Sequence, residues 1–231
     1  TPLQYACRHG HIPTIKALLA AGANINYKSG RGKTALMEAV EHGHADVVEL
    51  LIRNRTDIDI NVFDTEGRSS LIHAATRGDA ESVRLLLDKK ADTSIRDLEN
   101  GGTALFRAAE QGHVDVLMVM IKSGHALDVL DDDHRGLLHA ACSGLHESTT
   151  EILSLLAGHG LDLNRKDKHG MTPLHTACRA GDISAARWLK AQGADVQSED
   201  YYSRIPLRVA WERHHDEIVR ELKESTRNED L

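Results

Sequence analysis

One spacing constrains this chain more than any other feature. A leucine followed three residues later by an alanine occurs seven times along 231 residues, at intervals of 33 to 36 residues. The pairs are Leu3 and Ala6, Leu36 and Ala39, Leu71 and Ala74, Leu105 and Ala108, Leu138 and Ala141, Leu174 and Ala177, and Leu207 and Ala210. Residues three apart share one face of a helix, so each period predicts a helix with a small inner face. A fixed period of this length is typical of stacked structural repeats.

The rest of each period predicts a second helix. In most periods a glycine follows the alanine by four residues, where it can end the first helix in a left-handed conformation. These glycines are Gly10, Gly43, Gly78, Gly112 and Gly181. Amphipathic runs such as residues 45–51 then predict a second helix, and Gly-Ala-Asn at residues 22–24 is a helix-stop signal. Asp-x-x-Gly turns at residues 64–67 and 167–170 begin the next period.

The segment Thr172-Pro173-Leu174-His175, followed by Ala177, resembles the signature of the ankyrin-repeat family, and the pattern covers almost the whole chain. The resemblance implies an all-α ankyrin-repeat solenoid of about seven helix–turn–helix repeats with β-turn fingers. We predict a single ankyrin-repeat domain over residues 1–231. Its repeats are predicted at approximately 1–28, 29–63, 64–97, 98–130, 131–166, 167–199 and 200–224, with a polar tail at 225–231. Extra residues near 56–61 and 145–150 are expected in turns or loops.

The two ends of the sequence differ. The last second helix, residues 216–224, has charges where earlier repeats have leucine, as expected of a polar cap on a solenoid. The chain opens at Thr1-Pro2-Leu3 with no finger before it. We therefore expect the sequence to be a fragment of a longer protein.

Composition narrows the classes of function. The apolar fraction of 41% excludes intrinsic disorder. A net charge of −7 argues against nucleic-acid binding, because affinity for nucleic acid comes largely from neutralised phosphates. No apolar run reaches the roughly 20 residues of a membrane span, and three cysteines cannot build a disulfide framework. We therefore expect a soluble intracellular protein, in the cytoplasm or the nucleus.

Cysteines and histidines raise the question of a metal site, but their register argues against one. Cys7, Cys142 and Cys178 directly follow the repeated alanine, so we expect them in the core. Five histidines also recur in register: His11, His44 and His113 after the turn glycine, and His139 and His175 after the repeated leucine. In the ankyrin family such histidines form hydrogen bonds between neighbouring repeats. We expect no metal and no cofactor.

Other chemistry is sparse. The run Asp131-Asp132-Asp133-His134 falls at a fingertip, where we expect a solvated turn; a weak calcium contact is the alternative, although calcium takes roughly 6–8 oxygen ligands. No phosphate loop, nucleophile elbow or acid–base pair occurs, so we interpret the chain as non-enzymatic. Asn26 and Asn164 match positions that a dioxygenase can hydroxylate in ankyrin arrays; alternatively, each satisfies the backbone of its turn.

The family resemblance places partner binding on a concave groove of fingertips and exposed first-helix positions. We expect a partner protein or peptide there, and a monomeric chain. The predicted partner-binding residues are Arg31, Lys33, Glu66, Arg77, Glu110, Asp132, Asp133, Lys168, His169, Arg179, Tyr201, Tyr202 and Arg204. Charge along this groove runs basic, then mixed to acidic, then basic, so the partner is expected to present acidic segments at both ends.

The scarce aromatic residues leave two interpretations open. Tyr201, Tyr202, Arg204 and Arg179 could form an interface hot spot, since Tyr and Arg dominate such spots. Alternatively, Trp211 plugs the end of the core and the two tyrosines cover it. Trp188 is expected in the core. The alternative function is a regulatory or sensor module of a larger multidomain protein, such as an enzyme or an innate-immune sensor.

Overall fold

The computed structural model describes residues 1–54 and 57–226. Over these residues it has fourteen helices in seven consecutive pairs and one isolated antiparallel bridge, between Phe63 and Ser69. The first helices are α1 (Pro2–Arg8), α3 (Ala35–Glu41), α5 (Ser70–Arg77), α7 (Ala104–Glu110), α9 (Leu137–Ser143), α11 (Pro173–Ala180) and α13 (Pro206–Glu212). The second helices are α2 (Ile12–Ala20), α4 (Ala45–Asn54), α6 (Ala80–Asp88), α8 (Val114–Lys122), α10 (Thr149–Gly158), α12 (Ile183–Ala191) and α14 (Asp216–Thr226). The predicted all-α class is confirmed.

The chain divides into two compact units. The first comprises Thr1–Ala108 with Asp115–Ala126, and the second comprises Ala109–Val114 with the described residues from Leu127 onwards. In the first unit α3 packs on α1 and α5, and α4 packs on α6. In the second unit α11 packs on α9 and α13, and α12 packs on α10 and α14. Within each unit, therefore, first helices stack on first helices and second helices on second helices.

The periodic leucines and alanines form the core. The seven alanines are at most 4% exposed and the first six leucines at most 3%, while Leu207 is half-buried. The three cysteines are fully buried, as predicted. Burial raises the pKa of the Cys7 and Cys178 thiols to about 12, so both stay protonated and act as small apolar side chains.

Side chains and glycines mark the ends of the first helices. The hydroxyls of Thr34, Ser69 and Thr172 each accept the backbone N–H three residues later, which is the N-cap bond that starts a helix. The turn glycines adopt φ between 68° and 85° as predicted. In the last repeat His214 takes that position with φ 61°, which the sequence pattern did not predict.

The predicted insertions have different outcomes. Five residues, 144–148, connect α9 and α10, where the other repeats use two or three, so this extra length lies in a connection. The insertion near 56–61 includes Thr56, which lies outside the described residues, as does most of the predicted tail at 225–231. No helix that the structure describes is both long enough and apolar enough to span a membrane.

Candidate functional site

A finger, the turn segment that precedes each first helix from α3 onwards, is organised by a buried aspartate in five repeats. These residues are Asp64, Asp97, Asp131, Asp167 and Asp200, which are 2–5% exposed. In finger 64–68 the Oδ1 atom of Asp64 accepts the backbone N–H groups of Glu66 at 2.9 Å and of Arg68 at 3.0 Å. The aspartates at 131, 167 and 200 repeat this two-bond pattern. Each of these carboxylates therefore fixes the backbone of its own finger.

The expectation of a solvated turn at residues 131–134 is wrong for Asp131. This side chain is 2% exposed, because its oxygens accept two backbone N–H groups and the guanidinium of Arg135 at 2.6 Å. Asp133 forms an ion pair with Lys168, and the hydrogen bond from Lys168 lowers the pKa of Asp133. The calcium alternative loses support, since two of the three carboxylates are bound to cationic side chains.

Other finger aspartates also bind a cationic or imidazole group. Asp97 pairs with Arg107 at 2.6 Å, and Asp64 with the His73 Nε2 atom at 2.8 Å. Burial by itself raises the pKa of Asp97, but the hydrogen bond and charge of Arg107, together with backbone N–H groups, lower it below its ordinary value. The same balance, with Arg204 as the cation, lowers the pKa of Asp200. These carboxylates are therefore ionised inside the fold.

Histidines connect neighbouring repeats, as the family resemblance implied. The Nε2 atoms of His139 and His175 donate to the carbonyls of Met171 and Arg204, both at 2.9 Å. Their Nδ1 atoms accept the N–H groups of Gly136 and Thr172, so both rings are neutral Nε2–H tautomers. Burial lowers the pKa of each ring.

The histidines after the turn glycines do not all behave alike. His44 meets the carbonyl of Arg8 in the preceding repeat at 2.9 Å, as expected. His11 instead contacts Thr14 in its own repeat, so the expectation is wrong there. His146, which the repeat register did not single out because it lies in the extended connection, contacts the carbonyl of Glu110 at 2.8 Å.

Fingertips are joined by backbone hydrogen bonds. We define the tip residues as the two residues that follow the first residue of each finger: Gly30 and Arg31, Thr65 and Glu66, Leu98 and Glu99, Asp132 and Asp133, Lys168 and His169, and Tyr201 and Tyr202. The N–H group of the first tip residue donates to the carbonyl of the second tip residue in the preceding finger. In the first unit these bonds join Thr65 to Arg31 and Leu98 to Glu66, and in the second Lys168 to Asp133 and Tyr201 to His169, at 2.8–3.0 Å.

Tip side chains are exposed. Leu98 is 76% exposed, Tyr201 72% and Tyr202 70%, and among the tip residues Asp133 alone is half-buried. Eight of the thirteen predicted partner-binding residues are tip residues: Arg31, Glu66, Asp132, Asp133, Lys168, His169, Tyr201 and Tyr202. The structure thus places these eight on one kind of element, whose backbone is fixed and whose side chains face solvent.

The other five predicted residues lie closer to the helices and are mostly engaged within the chain. Lys33 is half-buried and pairs with Glu41 at 2.6 Å. Arg77 donates to the carbonyl of Glu41 at 3.1 Å, and Arg204 pairs with Asp200 at 2.7 Å. Glu110, also half-buried, accepts His146 through its carbonyl. Arg179 differs from these, because among the described residues its only hydrogen bond is to the sulfur of Met171 at 3.9 Å.

The end of the last repeat departs from the core-plug interpretation. Trp211 is 55% exposed, so it does not plug the core, and Trp188 is half-buried rather than in the core. The guanidinium of Arg208 lies 4.6 Å from the centre of the Trp211 ring, and that of Arg204 lies 5.0 Å from the centre of the Tyr202 ring. Such cation–π contacts stabilise exposed aromatic surfaces. They leave the tyrosines accessible.

Asn26 and Asn164, the two candidate hydroxylation sites, form hydrogen bonds to the loop of the next repeat. The Oδ1 atom of Asn26 accepts the N–H of Asp59 at 2.9 Å, and its Nδ2 donates to the carbonyl of Asp57 at 2.7 Å. The Oδ1 atom of Asn164 accepts the N–H of Asp195 at 2.8 Å. Both side chains therefore satisfy backbone groups one repeat further along the chain, which favours the structural alternative over a modification site.

One group of possible metal donors was missed by the sequence analysis. Among the described residues, Glu38, Glu41 and His42 bring ligand atoms within 4.8 Å of one another. Helical spacing of three and four residues could have indicated it. However, Glu38 binds Arg8 at 3.1 Å and Glu41 binds Lys33 at 2.6 Å. The two carboxylates therefore already neutralise cations of the protein.

Comparisons with known proteins identify the family to which this chain belongs. The family profile described as ankyrin repeats (3 copies) matches residues 1–64, 57–131, 116–200 and 137–230. The chain therefore belongs to the ankyrin-repeat family, whose fold is a non-catalytic protein-interaction module. The solved ankyrin repeat domain of human ASB11 superimposes with a TM-score of 0.79 at 24% identity, covering 91% of each chain.

Two curated relatives are longer than this chain. The probable E3 ubiquitin-protein ligase XBOS32 of rice (Oryza sativa subsp. japonica) is 29% identical over 205 residues, which cover 85% of this chain and 31% of the rice protein. The mouse (Mus musculus) B-cell lymphoma 3 protein homolog is 25% identical over 222 residues, covering 95% of this chain and 42% of the mouse protein. The chain thus spans less than half the length of either relative.

Proposed function

We propose that this chain is a recognition module, without catalytic activity of its own, that binds a partner protein or peptide along the tip residues and the neighbouring first helices. In the family's solenoid this is the concave face. One observation carries the proposal: the fingertip backbone is fixed by buried aspartates and by finger-to-finger hydrogen bonds, whereas the tip side chains are exposed and differ from finger to finger. A preorganised surface loses little conformational entropy when a partner binds.

The chemistry of the tips supports a peptide or protein as the ligand. In the first unit the tips Arg31 and Glu66 offer ion pairs and hydrogen bonds, and in the second unit Lys168 offers ion pairs and Tyr202 adds apolar contact. We further propose that the chain acts as a monomer in the cytoplasm or nucleus. The net charge of −7 disfavours nucleic acid as the partner.

A regulatory or sensor role within a larger protein is a compatible second proposal. It is supported by the two longer relatives, because this chain matches only 31% of the rice protein and 42% of the mouse protein. In that case the tip surface would recruit a target to whatever the remainder of the protein does.

Peptide selection tests the tip surface directly. A random peptide display library is panned on the purified chain, and the selected peptides are synthesised for binding titrations. We expect His169→Ala and Tyr202→Ala to weaken binding about tenfold or more, as hot-spot truncations do. Matched changes on exposed second-helix positions, Arg84→Ala and Glu151→Ala, should leave the affinity within about twofold. Loss of binding through the second-helix changes alone would contradict the proposal.

A further inference from the structure

Arg179 stands out among the cationic side chains beside the fingers. It lies in the last turn of α11 and is half-buried, and within the described part of the chain its guanidinium hydrogen-bonds only to the Met171 sulfur, at 3.9 Å. Among the residues that the structure describes, no carboxylate lies within ion-pair distance of it. A guanidinium that has lost part of its water without gaining an acceptor is unfavourable.

The chain itself shows what normally completes this repeat position. Arg8 occupies the same place in the first repeat, five residues after the repeated leucine, and it pairs with Glu38 of the next repeat at 3.1 Å. Glu38 stands two residues after its own leucine. The residue in that register after Leu207 is Val209, which is apolar and 4% exposed. The carboxylate that Arg8 has is therefore missing for Arg179.

A second internal partner is also missing. In two other repeats the residue that corresponds to Arg179 forms an ion pair with the residue eight positions before it, at the end of the finger. These pairs are Lys33 with Glu41 at 2.6 Å and Arg204 with Glu212 at 3.3 Å. In the sixth repeat the corresponding residue is Met171. Both pairing positions that the chain uses elsewhere are thus apolar around Arg179.

The charges around Arg179 are mixed in sign. Burial lowers the pKa of Arg179, and the positive charges of Arg135 and Arg213 lower it further, whereas Asp167 and Asp133 act in the opposite direction. Arg213, in the next repeat, is exposed and has no ion pair among the described residues. These charges do not decide between a carboxylate and a phosphate. The choice of a carboxylate rests on the chain's own example, the pairing of Arg8 with Glu38 in the same repeat position.

We propose that Arg179 receives a carboxylate side chain, an aspartate or a glutamate, from the partner segment that lies along the tips of the second unit. This inference rests on the proposed function and adds the chemistry of the ligand at one position. A guanidinium binds a carboxylate through two parallel N–H···O bonds, which would supply the acceptor that Val209 and Met171 cannot. The exposed Arg213 and Tyr202 lie in the next repeat, and we expect neighbouring residues of the same segment to contact them.

The test uses the selected peptides and a double-mutant cycle. We expect the peptides to be rich in Asp and Glu, and replacing one particular Glu by Gln should weaken binding to the natural chain roughly 10- to 100-fold. The variant Arg179→Gln should weaken binding by a similar factor. It should also be insensitive to that Glu→Gln replacement, because the two changes remove the same interaction.

Two further variants of the chain serve as controls. Arg8→Gln removes a cation from the same repeat position, and we expect peptide affinity within about twofold of the natural chain. Val209→Glu supplies the internal carboxylate that Arg8 has, and it should abolish the preference for the peptide Glu while Arg179 remains in place. If Val209→Glu fails to fold, the cycle with Arg179→Gln still decides.

The possible results separate the two proposals. If His169→Ala and Tyr202→Ala weaken binding but Arg179→Gln shows no coupling to any acidic residue, the carboxylate proposal is wrong and the tip surface stands. Stronger binding of a phosphoserine peptide than of its Glu counterpart would also overturn the carboxylate proposal. If no tip or Arg179 change affects binding, the proposed function itself is wrong.

Discussion

The base of each finger, which is its first residue, and the two tip residues that follow it are neighbours in sequence but differ in burial and in hydrogen bonding. At the base, Asp97 is 3% exposed and bound to Arg107 and to three backbone N–H groups. One residue further, Leu98 is 76% exposed. The comparison teaches that adjacent residues of one finger differ in what they do for the fold: the first residue holds the backbone, and the tips, which we propose bind the partner, face solvent. A base change should therefore cost folding free energy, whereas a tip change should cost binding.

The largest expected effect comes from breaking a base ion pair. Arg107→Ala leaves the Asp97 carboxylate buried and without its cation, since the two side chains are 5% and 0% exposed. We expect the free energy of unfolding to fall by about 3–5 kcal/mol, measured by urea denaturation. The control is Arg84→Ala, whose exposed pair with Glu81 should contribute less than about 1 kcal/mol. Equal effects of the two changes would contradict the assignment.

The next largest loss of stability is expected where the backbones of two neighbouring fingers approach each other closely. Gly32 has φ +72°, and a Cβ atom there would lie 2.9 Å from the backbone of Asp64 in the next finger. Gly32→Ala should therefore destabilise the chain by about 2–3 kcal/mol, combining left-handed strain with a clash. At Gly22, φ is +83° but no atom lies within 4 Å, so Gly22→Ala should cost only about 1 kcal/mol. Similar melting temperatures for the two variants would argue against finger packing.

Acid should destabilise the fold through the buried histidines first and through the buried finger aspartates at lower pH. Burial lowers the pKa of His139 and His175, whereas the unfolded chain takes up protons near a pKa of about 6.5. Below that pH the unfolded state binds more protons, so stability falls as pH falls. We expect the loss to begin near pH 6.5 in urea titrations, and a further loss from Asp97 to follow below about pH 4, because its folded pKa is lowered.

A glutamine offers a matched control for the histidines. Gln4 holds the same repeat position and donates its Nε2 to the Lys33 carbonyl at 2.6 Å. The double variant His139→Gln, His175→Gln should keep comparable hydrogen bonds and lose the dependence of stability on pH near 6.5. An unchanged pH profile in this variant would show that other groups are responsible.

The smallest stability effects are expected at the tips. Leu98→Ala and Tyr202→Ala remove side chains that are 76% and 70% exposed. We expect the free energy of unfolding to change by less than about 0.5 kcal/mol, measured by the same urea denaturation. A loss above about 2 kcal/mol would show that these two side chains stabilise the fold, contrary to their assignment to partner binding.

The sequence predicted the scaffold well because its signals are local and repeated. The Leu–x–x–Ala pairs, the turn glycines and the buried Cys7, Cys142 and Cys178 all follow from helical spacing within one repeat. His139 and His175 were also predicted correctly, through the family resemblance. Of the two interpretations left open for the aromatic residues, the core plug by Trp211 is wrong. It assumed that a terminal repeat needs a bulky side chain to cover its core, whereas Trp211 is 55% exposed.

The sequence alone determined the repeat period, the helix pairs, the core and the residues that reach the fingertips, because a helical period specifies which face of an element a residue occupies. Only the tertiary structure decided which charges remain available. Asp131 is buried, Lys33 is paired with Glu41, and Arg179 forms no ion pair with any described residue and hydrogen-bonds to a sulfur. In each case the partner lies in the same repeat: Arg135 for Asp131, Glu41 for Lys33 and Met171 for Arg179. These contacts form only when the non-helical finger folds on itself or against its own first helix, and helical spacing alone does not specify that geometry.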